Sequence, residues 1–116
     1  MLIRIDPTAA RPIYEQVAAS VRADIAAGRL APGDRLPPAR EVAAAVEINV
    51  HTVLRAYQQL RDEDLIDLRR GRGAIVSTSA APLAELAQDI RALVGHAAQL
   101  GLSPTALAAL VKEATP

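Results

Sequence analysis

The 116-residue chain has no cysteine, no tryptophan and no phenylalanine, and its aromatic rings are two tyrosines, Tyr14 and Tyr57. Without thiols there are no disulfides and no thiolate metal sites, and two histidines, His51 and His96, are a poor nucleus for a metal centre. The scarcity of aromatics removes the stacking platform on which single-stranded RNA is usually read. Long apolar runs are missing too. Nothing approaches the ~20 residues needed to span a bilayer, and the N-terminus lacks the apolar region of a signal peptide. The expectation is a cytoplasmic protein with no membrane partner. Charge of one sign is also absent: 13 Lys and Arg balance 13 Asp and Glu. That balance excludes a molecule whose whole surface attracts polyanions.

What is present is alanine, at 25 positions, in a chain that is 51% hydrophobic. Such a composition is not that of a disordered chain, and it favours helices over an all-β sandwich. The length suits one domain with a short appendage. A core must then be assembled from scattered Leu, Ile and Val.

The chain opens with a β-like alternation, Leu2, Ile3 and Ile5, followed by the turn-prone Asp6-Pro7-Thr8. Pro12 suits the first position of a helix, where its missing N–H is not needed. Ile13, Val17, Val21 and Ile25 recur every four residues and make one buried stripe, and Gly28 supplies the left-handed stop. Ala31-Pro32-Gly33-Asp34 reads as a type II turn. Pro37-Pro38 imposes extended backbone before a short second helix, Ala39 to Ala45, with Val42 and Val46 facing inward. After a tight connection, Asn49 is a good N-cap for a third helix with Val50, Val53, Tyr57 and Leu60 on one face. That helix ends near Asp62-Glu63-Asp64, where Asp64 can turn left-handed. Leu65 to Leu68 and Ala74 to Val76 then bracket a Gly- and Arg-rich loop as a β-hairpin.

Ser77 to Ala81 reads as a small polar linker. Beyond it Leu83, Leu86, Ile90, Leu93, Ala97 and Leu100 step alternately by three and four, a short heptad seam. Gly101 closes this helix, with Leu102 folding back on Ala97, and Ser103-Pro104 opens a last helix carrying Leu107, Leu110 and Val111. The fold expected is mainly α with a small β-hairpin: a winged helix-turn-helix over residues 1–78, then a two-helix dimerisation tail over 79–116.

The third helix is polarised. Asn49, His51, Thr52 and Arg55 crowd its first turns and offer donors suited to phosphate oxygens and base edges. Its carboxylates gather at the C-terminal end, although the helix dipole favours the reverse by roughly 0.3–1 kcal/mol per exposed charge. Keeping acids off the N-terminus suits a surface that an anion must approach. A merely solvated face would contain similar residue types. The hairpin tip adds Arg69, Arg70 and Arg72 with Gly71 and Gly73, a loop fitted to narrow grooves and close phosphate approach. Arg40, at the start of the short helix, would sit near the backbone of a bound duplex, or else pair with Glu41 or Glu47.

Pro12-Ile13-Tyr14-Glu15-Gln16-Val17, Gly28-Arg29-Leu30-Ala31-Pro32-Gly33-Asp34-Arg35-Leu36-Pro37 and Ala39-Arg40-Glu41-Val42-Ala43 carry a family resemblance that continues through Asn49-Val50-His51-Thr52-Val53-Leu54-Arg55-Ala56-Tyr57 and Arg69-Arg70-Gly71-Arg72-Gly73-Ala74-Ile75-Val76. From about Pro12 to Val76 the chain resembles the GntR-family DNA-binding domain. Its short helical end, with Gln99-Leu100-Gly101-Leu102-Ser103, is similar to the YtrA-like subfamily. The resemblance implies a bacterial homodimeric transcriptional regulator, usually a repressor, bound to a near-palindromic double-stranded operator. It maps the DNA contacts onto Arg40, Asn49, His51, Thr52, Arg55, Arg70, Gly71, Arg72 and Gly73. Four departures stand out. Pro38 replaces a capping Ser, Glu47 and Asp64 replace glycines, and Val50 stands where many relatives carry Arg, shifting base readout towards His51 and Arg55.

The tail is too small to enclose a metabolite pocket, which typically needs about 300–1,000 Å³, and no effector can be named from it. Two helices of this size do not fold alone. Leu83, Leu86, Ile90, Leu93, Leu100, Leu107 and Leu110 would pair with a second copy; folding back onto the chain's own winged domain is the alternative. No phosphate-binding loop, nucleophile elbow or metal-spaced cluster is present, so neither enzyme activity nor a cofactor is expected. The rival to DNA binding is a winged helix that docks on an acidic protein. Residues 1–78 hold 11 Arg and 10 acids, so placement of charge, not its sum, must carry any affinity for a duplex.

Overall fold

A computed structural model describes residues 3–116. The described helices are α1 (Ile13–Ala26), α2 (Ala39–Val46), α3 (Val50–Asp62), α4 (Ala81–Gln99) and α5 (Pro104–Glu113); the strands β1 (Ile66–Arg69) and β2 (Gly73–Val76) follow α3. A first compact unit ends at Glu85, and a second comprises Leu86–Pro116. No described helix is long and apolar enough to cross a membrane.

In the first unit three members of the expected α1 stripe are buried, Val17, Val21 and Ile25, packed among Val42, Val53, Leu60, Ile66 and Val76, while Ile13 is half-buried against the same core. Pro12 is one position earlier than expected. It is the N-cap, with φ −55° and ψ 146°, a pairing its ring allows. Gly28 turns left-handed at φ 79°. This brings the Arg29 N–H to the Asp24 carbonyl at 2.9 Å and the Gly28 N–H to the Ile25 carbonyl at 3.1 Å, which together close a Schellman motif. The alternation at the N-terminus gives no strand among the described residues, and Leu2 lies outside them. Ile3 and Ile5 do pack against the core. Side chains of α1 occupy the intervening backbone: Arg4 N–H donates to Ser20 Oγ at 3.2 Å and Asp6 N–H to Gln16 Oε1 at 2.7 Å. With those groups taken, no ladder forms.

The turn at Ala31–Asp34 closes with the Asp34 N–H on the Ala31 carbonyl at 2.9 Å. The next residues then do more than connect. Arg35 forms an antiparallel bridge with Ile75, Leu36 N–H donates to the Ala74 carbonyl at 2.8 Å, and Val76 N–H donates to Asp34 at 2.9 Å. This segment therefore lies as a short third rung beside the expected hairpin. In the hairpin itself Ile66 pairs with Val76 and Arg69 with Gly73.

Between α2 and α3, Glu47 adopts φ 58°, and the Ile48 N–H reaches the Ala43 carbonyl at 3.0 Å. Asp64 does the same after α3 at φ 63°, where the Leu65 N–H meets the Leu60 carbonyl at 3.0 Å. The residues after β2 do not form the free linker their composition suggested. Ser77 is buried; its hydroxyl donates to the Asp64 carbonyl at 2.6 Å and its N–H to the Leu65 carbonyl at 3.0 Å. A single 3-10 turn, Thr78–Ala80, follows, with Ala80 buried and Leu83 packed against the same core.

In the second unit Gly101 is left-handed at φ 80°, and the Leu102 N–H bonds to the Ala97 carbonyl at 2.9 Å, the fold-back expected. Ser103 Oγ accepts the Ala106 N–H at 3.1 Å and caps α5. Ala97 is buried and Leu102 and Leu107 are half-buried. Leu86, Ile90, Leu93, Leu100, Leu110 and Val111 remain exposed.

Candidate nucleic-acid interface

The interface is built from the first unit alone. Helix α3 turns Val53, Ala56, Tyr57 and Leu60 into the core and thereby leaves His51, Arg55 and Gln58 on its exposed face. Tyr57 fixes the entry to α2 from below. Its hydroxyl donates to the Pro37 carbonyl at 2.7 Å. Burial, and secondarily the negative charge of Glu41, push its phenol up to about 12.

Asn49 caps α3 by accepting the His51 N–H at 2.8 Å on Oδ1, and its exposed side chain keeps two amide donors uncommitted to that cap. Thr52 is half-buried with its N–H on the Asn49 carbonyl at 3.0 Å. Arg40 is exposed and pairs with neither Glu41 nor Glu47 among the described residues. Arg70, Gly71, Arg72 and Gly73 are exposed at the hairpin tip. Arg69 leans back on Asp67 at 3.7 Å, while Arg70 and Arg72 make no ion pair among the described residues. Gly71 and Gly73 have φ values of 78° and 74° and meet nothing within 4 Å at a built Cβ, so backbone conformation and not crowding requires glycine there. Leu54 and Tyr57 of α3 and Gly71, Arg72 and Gly73 of the tip line one hollow of about 280 Å³. The fold thus brings helix and tip side by side.

The acids at the far end of α3 are held away from this surface. Glu63 receives Arg22 of α1 in a two-point fork, Nε to Oε1 at 2.7 Å and Nη2 to Oε2 at 2.6 Å, and Gln59 adds a third bond at 3.2 Å. The Arg22 hydrogen bonds hold the Glu63 carboxyl below the usual carboxylate range, and Glu63 raises Arg22 in turn. Asp62 pairs with Arg61 at 3.3 Å. Donors therefore concentrate at the N-terminal half of α3 and at the tip, where phosphate oxygens and base edges could be bound.

Residues 13–76 match the model of the gntR family of bacterial regulatory proteins. The chain belongs to the GntR family. It is 40% identical over 79 residues to the HTH-type transcriptional repressor YtrA of Bacillus subtilis, covering 68% of this chain and 61% of that protein. It is 33% identical over 101 residues to the HTH-type transcriptional regulator Rv1152 of Mycobacterium tuberculosis, covering 87% of this chain and 84% of that one. Among solved structures it resembles YtrA from Sulfolobus acidocaldarius, a GntR-family transcription factor, with a TM-score of 0.64, 33% identity, and coverage of 85% and 99%. The family is one of bacterial regulatory proteins, and these relatives are named as transcriptional regulators.

Two residues of the GntR surface escaped sequence reasoning. The Arg55 guanidinium stacks over the Tyr14 ring of α1, 3.8 Å from its centroid. Arg35, on the third rung, is exposed and borders the hollow between α3 and the tip. Tyr14 carried a signal, being one of two aromatic rings in the chain. Arg35 carried none, because its partner Ile75 is 40 residues away.

Proposed function

We propose that this GntR-family chain represses transcription by binding a near-palindromic operator as a homodimer, with α3 reading the major groove and the hairpin as a wing on the backbone. One observation carries the reading: Leu54 and Tyr57 of α3, a helix whose N-terminal half has no carboxylate, and Arg72 of the wing tip, which makes no ion pair among the described residues, line one hollow. His51, Arg55 and the Asn49 amide would meet base edges and phosphates, while Arg40, Arg70 and Arg72 would neutralise phosphates. The name of the Bacillus relative, a repressor, supports the sign of the regulation.

The dimer reading rests on the second unit. Leu86, Ile90 and Leu93 are about half exposed and Leu100 is 74% exposed, a row of large apolar groups that water disfavours and a second copy would cover. Leu110 extends the exposed apolar surface on α5 and Leu107 is half-buried. Leu83 serves the first unit's core instead of this row. Two copies would set two α3 helices on successive major grooves, about 34–36 Å apart.

Selection of bound duplexes from a random pool, followed by salt titration of the winner, tests the proposal. The expected outcome is an inverted repeat whose binding weakens steeply with salt yet discriminates against single-base variants. Recovery of no enriched sequence, with salt-sensitive binding to an acidic protein in its place, would select the interaction-module alternative.

A further inference from the structure

Leu54 is an apolar residue on an otherwise polar surface. It stands three residues after His51 and four before Gln58 on α3, in the row between two polar side chains, and is 40% exposed. Leu68 on β1 is 39% exposed, and the two line the same hollow with Pro37 and Arg72. Scattered exposed leucines are ordinary. These two are not scattered, because they line one hollow between the helix and the wing, and the cations Arg35 and Arg72 line it with them. A hollow lined by apolar side chains together with two arginines suits a ligand with a small apolar group projecting from a polyanion. In the major groove of DNA that group is the 5-methyl of thymine, the one apolar feature among base edges otherwise made of donors and acceptors.

We propose that Leu54, walled by Leu68, is a specificity-determining residue that selects thymine at one position of each half-site by packing on its 5-methyl group. This rests on the DNA-binding reading above. It assigns one base contact to apolar packing, where His51 and Arg55 supply polar ones. It also accounts for an exposed leucine midway along a helix whose other exposed positions are polar or charged.

The test uses the full chain and its selected operator, with each thymine replaced in turn by deoxyuridine, which removes the methyl and keeps the pairing edge. Fluorescence anisotropy is expected to show about fourfold weaker binding at one thymine per half-site, the size of one buried methyl. Leu54→Ala should abolish that one response and leave the others, and Leu54→Gln should do likewise. 5-Methylcytosine at the same position should recover part of what cytosine loses. If no thymine responds to deoxyuridine, or the same thymine responds equally in Leu54→Ala, the assignment is overturned while operator binding stands. If no duplex is bound with sequence preference, the DNA-binding reading fails first and takes this contact with it.

Discussion

The Arg55 guanidinium lies 3.8 Å from the centroid of the Tyr14 ring, so a side chain of α1 holds the central cation of α3 in place. Such a contact is worth about 0.5–1 kcal/mol at an exposed site, and it reduces the rotamer freedom Arg55 would lose on meeting a base. Tyr14→Leu is expected to weaken operator binding about two- to fivefold, whereas Tyr14→Phe should keep parental affinity. Arg55→Ala should weaken binding further and relax preference at one base pair by about 1–3 kcal/mol. Anisotropy titrations over single-base variants read both effects. Parental affinity in Tyr14→Leu, with an unchanged melting temperature, would remove the stack from the interface.

The wing arginines should behave differently from Arg55. Arg70 and Arg72 are exposed at the tip and make no ion pair among the described residues, the situation of phosphate neutralisers. Arg70→Ala and Arg72→Ala are expected to weaken every duplex alike and to reduce the slope of log affinity against log salt by about 0.9 each. Arg69→Ala should change the slope less, since Asp67 already faces Arg69 at 3.7 Å. Unaltered slopes in both tip variants would place the wing off the backbone.

The helices were legible because local chemistry and periodicity agreed. Val17, Val21 and Ile25 repeat on one face, Asn49 and Ser103 cap, and Gly28 and Gly101 stop. What escaped depends on partners distant in sequence. Arg35 looks like turn residue until Ile75 is brought beside it. Ser77 looks like linker until the left-handed Asp64 turns its carbonyl towards the hydroxyl. Leu83 fits a heptad on spacing alone, yet the 3-10 turn before α4 directs it to the first unit's core. The exposed polar face of α3, with His51, Arg55 and Gln58, was readable from the helix itself. Which cation needed support, and which leucine faced the wing, required the tertiary structure.

Glu47 ends α2 at φ 58° without glycine's freedom. A left-handed L-residue costs about 1–2 kcal/mol, and glycine regains part of it despite a more disordered unfolded chain. Glu47→Gly is expected to stabilise the first unit by about 1 kcal/mol, raising its melting temperature by several degrees. Asp64→Gly should gain less, since Asp tolerates this conformation better. A melting temperature that falls in Glu47→Gly would mean the Glu side chain has a compensating role.

The fork between Arg22 and Glu63 predicts an acid limit to stability. Arg22 holds the Glu63 carboxyl below its ordinary value. The fork's contribution is therefore complete above the unfolded carboxylate pKa, about 4.3, and is lost as pH falls through the lower folded value. Both side chains are partly exposed, so a contribution of about 1 kcal/mol is expected. Arg22→Gln should melt several degrees below the parent at pH 7, and the gap should close below pH 4. A gap independent of pH would assign the loss to packing of the Arg22 stem.

The exposed row on the second unit makes the last prediction. Ile90 and Leu93 are 48% and 47% exposed, so replacing them should leave each protomer's fold intact and disturb only what covers them. Ile90→Glu with Leu93→Glu is expected to convert a dimer to a monomer in sedimentation equilibrium, because like charges across the seam would be buried without partners. Operator affinity should then fall by about 10²-fold or more, as two half-sites cease to be bound by one linked molecule. Leu83→Ala is the control: it should lower the melting temperature of the first unit by the equivalent of about 1 kcal/mol and leave the dimer mass unchanged. A double variant that still sediments as the parent does would show that Ile90 and Leu93 are not the seam, and that the two α3 helices are paired, if at all, through another surface.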